Sequence, residues 1–108
     1  MIHVTIRIVT KSENQEEAFA ILRSVVEQTR VEPDCITSRV YRDTQDDCAL
    51  MFEELWKNEE LLYKHIRSDT YRNVLFVIEM AVEKPEIRFE TISRTNGIEI
   101  IEKARGAA

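Results

Sequence analysis

An α+β fold in the order β-α-β-β-α-β, the ferredoxin-like split βαβ arrangement, is what three observations predict. Residues 2–9 and 48–56 alternate apolar and polar side chains, as half-buried strands do. Residues 18–29 repeat apolar side chains with the period of an amphipathic helix. The polar run Asp43–Asp47 joins two alternating stretches as a hairpin loop would.

In residues 2–9, Ile2, Val4, Ile6 and Ile8 share one face, and His3, Thr5 and Arg7 share the other. Ser12 followed by Gln15 is a capping-box signature, and Glu13, Glu16 and Glu17 suit the positive end of a helix dipole. The helix then buries Ala18, Leu22, Val25 and Thr29, with Ile21 and Val26 beside them, and stops near Arg30, ahead of Pro33. Residues 35–42 and 48–56 form the hairpin. Matching its apolar faces sets Val40 across from Leu50 and Ile36 across from Glu54. Cys48 then joins the Leu50 face and Cys35 points the other way. Thiols on opposite faces of a sheet cannot be bridged, so two free cysteines are expected. After Trp56, Asn58 is an N-cap for a helix in which Leu61 and His65 share a stripe, and Ser68-Asp69 breaks that helix and caps another. Residues 71–82 are almost wholly apolar, so periodicity leaves helix and strand open. Residues 86–93 alternate again and give the fourth strand, with Ile87, Phe89 and Thr91 on one side.

With helices on one face of the sheet, the other carries His3, Thr5, Arg7, Thr37, Arg39, Tyr41, Met51, Glu53, Arg88 and Glu90. Either that face is solvated, or two sheets meet there with charge ladders paired across strands. Residues 1–94 make the domain and residues 95–108 an extension. In the extension, Asn96-Gly97 is a turn, Ile98, Ile100 and Ile101 call for docking on their own or a partner subunit, and Gly106-Ala107-Ala108 frays.

A chain of 108 residues with 44% hydrophobic and 32% charged side chains is expected to be one ordinary globular domain. No apolar run approaches the ~20 residues that span a bilayer, and no signal-like start is present, so a cytoplasmic protein without membrane contact is expected. A net charge of −5 repels phosphate backbones and argues against nucleic acid. Neither cysteine sits at metal-ligand spacing, so no metal is expected. Only two glycines are present, Gly97 and Gly106, which excludes a glycine-rich phosphate loop.

The stretch with most functional content is residues 50–65, LMFEELWKNEELLYKH. Strand parity delivers Glu54 and Trp56 to the face of Leu50 and Phe52, and the following helix brings His65 back over it. A carboxylate, an indole and an imidazole converging in an apolar layer could bind a small aromatic molecule and move a proton.

The segments RVEPDCITSRVYRD, FEELW and KNEELLYKHIRSDTY together resemble the antibiotic biosynthesis monooxygenase superfamily, which includes quinol monooxygenases, over roughly residues 2–93. The resemblance implies a dimeric α+β barrel whose best-studied members oxidise phenolic or quinol-type aromatics with O2, using no flavin, haem or metal. With the Ser68-Asp69 cap, it favours a helix for residues 71–82, and it favours the paired sheets of a homodimer. It departs from the family pattern at Asp34, where the family has glycine, at Ser38, where an aromatic is common, and at Thr70-Tyr71, where a second histidine is frequent. The haem-degrading branch uses an asparagine on the first strand, a tryptophan on the second helix and a later histidine. Residues 1–9 hold no Asn and no His follows His65, so haem degradation is disfavoured.

On this resemblance His65 is the expected base. Glu54 orients it, pairs with an arginine, or reaches water at the strand end. Trp56 stacks on the ligand or closes the end of the core, and Ser38, Phe52 and Tyr71 complete the substrate-binding set. Tyr63 faces away from His65. The expected activity is cofactor-independent oxygenation of a quinol-type aromatic, and the alternative is a dimeric binding module without turnover.

Overall fold

Alternation along β1 (Ile2–Val9) sends its even-numbered side chains into the core, where Val4, Ile6 and Ile8 are at most 1% exposed. The computed structural model describes residues 1–106, and the fraying expected of Ala107 and Ala108 lies outside the described residues. After β1 come α1 (Gln15–Arg30), β2 (Cys35–Arg42), β3 (Ala49–Trp56), α2 (Glu59–Ile66), α3 (Tyr71–Glu79), β4 (Glu86–Thr91) and α4 (Glu99–Ala104). The sheet order is β2-β3-β1-β4 with every neighbour antiparallel, which is the ferredoxin-like α+β arrangement.

Helix α1 buries Ala18, Leu22, Val25, Val26 and Thr29 against the sheet, the stripe its periodicity predicts, with Ile21 partly buried beside them. Each large apolar side chain on that stripe contributes roughly 1.5–3 kcal/mol. The capping box is not formed. Ser12–Asn14 is a single 3-10 turn ahead of α1 and neither helix start has a side-chain cap, so Glu16 and Glu17 in the first turn carry the favourable dipole term. Asn58 does cap α2: its Oδ1 accepts from the Leu61 N–H at 3.0 Å. Ser68 ends that helix rather than capping α3, its hydroxyl donating to the His65 carbonyl at 2.6 Å. Residues 71–82 are helical only to Glu79. Beyond it Ala81 bridges Thr10, and the Val82 N–H donates to the Val9 carbonyl, so the segment's end joins the sheet instead.

The hairpin register differs from the expected one by two residues. Val40 lies across from Phe52, and Ser38, not Ile36, lies across from Glu54. Polarity parity is the same in both registers, so alternation could not choose between them. A bulge between Cys35 and Thr37 then sets Cys35 opposite Trp56, which turns its thiol towards the helices and leaves Ile36 47% exposed. The expectation that Cys35 points to the outer face is thus overturned by one extra residue in the strand. Both cysteines are free.

Strand β4 spans a shorter stretch than expected and lies at the sheet edge. Ile87 and Phe89 align with the buried Ile6 and Val4 but remain 45% and 48% exposed at this edge, where Phe89 and residues of α2 line an open cleft. Ile98, Ile100 and Ile101, at the start of α4 and within it, are likewise 46–69% exposed.

Candidate functional site

The end of β3, the turn before β2 and the C-terminal half of α2 meet at one place, and parity puts Glu54 and Trp56 there. Glu54 is fully buried, Trp56 is 1% exposed and His65 is 3% exposed. The indole N–H of Trp56 donates to Glu54 Oε1 at 3.2 Å. His65 Nε2 lies 3.0 Å from Glu54 Oε2, both side chains having no exposed surface. The spacing is that of an ion pair, but the approach is too oblique for a hydrogen bond: Glu54 Oε2 and both ring nitrogens of His65 have no hydrogen-bond partner within the protein. The indole and imidazole rings touch, with centroids 4.6 Å apart and planes tilted by 32°. Tyr71 meets the imidazole edge-on at 5.4 Å.

Above this dyad lies a pocket of about 500 Å³ with Trp56 and His65 at its floor. Glu32, Pro33 and Asp34 form one side of its mouth, and Leu61, Lys64 and Ser68 the other. Asp34 needs no left-handed backbone, since no residue other than glycine has positive φ among the described residues, so its departure from the family's glycine costs the turn nothing.

Most of the anticipated residues converge. Ser38 is across the strand from Glu54 and buried, with its hydroxyl unpartnered. Phe52 is two residues deeper on the same face, wholly buried, and belongs to the core beneath the site rather than to the pocket lining. Tyr63 points away and donates to Glu59 Oε1 at 3.0 Å. Sequence reasoning missed Cys35, whose thiol donates to the Thr37 carbonyl at 3.2 Å on the site's side of the sheet. Burial first, then the nearby Glu54 charge, pushes the Cys35 thiol up to about 12. The same two causes in the same order push the Tyr71 phenol to about 12. Both groups therefore keep their protons at neutral pH. The pocket-lining Lys64 and Ser68 were also missed: Ser68 is three residues from His65, but Lys64 is its immediate neighbour and carries no face signal.

On the outer face, Glu53 accepts from the Tyr41 hydroxyl at 3.0 Å and lies 2.9 Å from His3 Nε2. Burial raises the Glu53 pKa, but the hydrogen bonds from His3 and Tyr41 outweigh it and leave the carboxyl below its ordinary value. Arg7 lies 3.3 Å from Asp43, 3.9 Å from Asp46 and 3.8 Å from Glu86. Among the described residues no helix is long and apolar enough to cross a membrane, and no group of three or more His, Cys, Asp and Glu side chains is placed to hold a metal ion.

The family profile described as antibiotic biosynthesis monooxygenase matches residues 1–75. Protein sll1783 of Synechocystis sp. (strain ATCC 27184 / PCC 6803 / Kazusa) is 30% identical over 89 residues, which are 82% of this chain and 60% of that one. The chain thus spans less than two thirds of that relative. A conserved protein from Methanosarcina mazei Go1 is 30% identical with a TM-score of 0.74, over 82% of this chain and 89% of that one. A crystal structure of an antibiotic biosynthesis monooxygenase has a TM-score of 0.77 at 22% identity, over 87% of this chain and 100% of that one, a likeness of fold.

Proposed function

The chain belongs to the antibiotic biosynthesis monooxygenase family, and from that premise we propose that it is a cofactor-independent monooxygenase of a small phenolic or quinol-type aromatic. The observation that supports the reading is the buried Glu54–His65 contact beside a pocket that His65 lines, with both ring nitrogens lacking a hydrogen-bond partner. The imidazole, which has no exposed surface at rest, turns into the pocket to take the proton of a bound phenol, and Glu54 stabilises the imidazolium that results. The phenolate then passes one electron to O2. The phenoxyl radical and superoxide combine at a ring carbon to a peroxide, which takes back the proton from His65 and loses water to leave a quinone, so one oxygen atom enters the ring and the other leaves as water. Trp56 excludes solvent from the anion, and Cys35 and Tyr71, which stay protonated, do not compete for its proton. Ser38 offers a further hydroxyl.

The close contact of Trp56 with His65 favours a second reading, a binding module without turnover, because the rings leave each other little room. Oxygen consumption with a panel of quinols separates the two. The enzyme shows uptake that His65→Ala abolishes; the binding module shows none, while the aromatic still quenches Trp56, the single tryptophan.

The proposal includes a homodimer with the outer sheet faces opposed. It is supported by half-buried His3, Glu53 and Arg7, which already form paired ladders, and by Tyr41 and Met51 among them. It assigns Ile98, Ile100 and Ile101 to docking on the partner subunit, since their own subunit leaves them exposed. Sizing in solution at micromolar concentration tests this, with truncation after residue 94 expected to weaken the dimer. Two free thiols accord with a cytoplasmic location.

A further inference from the structure

The mouth of the pocket is more acidic than its chemistry requires, and this bears on which aromatics it admits. The turn carrying Glu32 and Asp34 and the helix residue Lys64 line the same cavity as Trp56 and His65, with Glu54 3.0 Å behind the imidazole. Asp34 is exposed and Glu32 half-buried. Neither carboxylate is engaged by a salt bridge or a side-chain hydrogen bond within the protein, and Lys64 has no salt-bridge partner either among the described residues. The path therefore presents two free carboxylates against one ammonium. A third carboxylate lies buried under the floor, its Oε2 without a hydrogen-bond partner.

Charges at a partly solvated mouth act over several ångströms and are not cancelled by water alone. We propose that the Glu32–Asp34 turn is a charge filter, so that this pocket selects neutral or cationic aromatics and rejects those bearing a carboxylate. The inference deepens the proposed function and rests on its placing the aromatic in this pocket. The turn sets specificity rather than chemistry: no salt bridge or hydrogen bond joins either carboxylate to the dyad.

The test uses three catechols that differ in one substituent: 4-methylcatechol, dopamine and 3,4-dihydroxyphenylacetate. Binding is read from Trp56 fluorescence and turnover, separately, from oxygen uptake. The expected order of affinity is dopamine, then 4-methylcatechol, then the carboxylate, with about a tenfold gap between cation and anion at low ionic strength. In Glu32→Gln/Asp34→Asn the gap shrinks to about twofold, and 0.5 M salt shrinks it in the wild type as well. Both substitutions are at the mouth and keep side-chain size, and circular dichroism checks that the fold is retained. Equal or tighter binding of the carboxylate by the wild type overturns the filter, as does a gap that the double variant leaves unchanged or a failure of all three rings to quench Trp56. Ranked binding with no oxygen uptake overturns the monooxygenase reading and leaves the filter standing.

Discussion

Glu53 and Glu54 are consecutive in β3, and each sits about 3 Å from a histidine, yet the two pairs are opposites. Glu53 with His3 lies on the outer face at 24% and 31% side-chain exposure, and Tyr41 donates a second hydrogen bond to that carboxylate. Glu54 with His65 lies on the inner face with no exposure, and one carboxylate oxygen and both ring nitrogens have no hydrogen-bond partner. One step along a strand therefore exchanges a satisfied, water-screened pair for a dry and incompletely satisfied one. The first is what a sheet surface uses for pairing. The second is expensive to maintain, and such expense is concentrated where chemistry or binding takes place.

Breaking the two pairs in parallel gives the largest contrast in activity. His65→Ala is expected to lower oxygen uptake by about 10²–10⁴, the range of a lost general base, whereas His3→Ala changes it less than about twofold. Steady-state oxygen electrode measurements decide this, and equal losses in both variants would erase the distinction.

The thiol beside the inner pair gives the next contrast. With Cys35 held near 12 against an ordinary value of 9.0, its thiolate fraction at pH 8 falls by about a thousandfold, and alkylation should slow in proportion relative to the urea-unfolded chain. Mass spectrometry after iodoacetamide treatment measures it. The sign also predicts an alkaline limb. The unfolded chain loses this proton from about pH 9 upward while the folded chain keeps it, so stability falls as pH rises from about 9 towards 12.

Stability should divide the pairs in the same way. His65→Leu strands the buried Glu54 carboxylate and is expected to cost about 3–5 kcal/mol, and adding Glu54→Leu should recover most of it. His3→Leu should cost less than about 1 kcal/mol, as exposed pairs do. Urea titrations of the four proteins check the comparison, and a His65→Leu/Glu54→Leu double variant no better than His65→Leu would remove the burial argument. The smallest effect is at acid pH. Because Glu53 is held below its ordinary 4.5, its contribution is present above that value and is lost as pH falls through the lower folded pKa, a drop of well under ~1 kcal/mol after solvent screening. Glu53→Gln should flatten that part of the urea midpoint against pH.

Period and parity made most of this legible beforehand. The even-numbered faces of β1 and β3, the stripe of α1 and the return of His65 over Trp56 all follow from spacing, and the inner pair was foreseeable from them. What escaped were features that leave parity unchanged or break it once. A register shift of two moved Ser38 opposite Glu54 with no change in any face, and the bulge at Ile36 reversed Cys35 with no glycine or proline to announce it. The end of α3 was hidden for another reason: Ala81 and Val82 satisfy a helical or an extended pattern equally, and their pairing with Thr10 and Val9 is tertiary.

That bulge also limits how the molecule can associate side by side. Strand β2 is an outer rung of the sheet, and a regular strand laid along it would run out of step where Cys35 and Thr37 straddle Ile36. Edge-to-edge pairing of molecules is therefore interrupted by the backbone itself at that end of the flank, whatever side chains a neighbour brings.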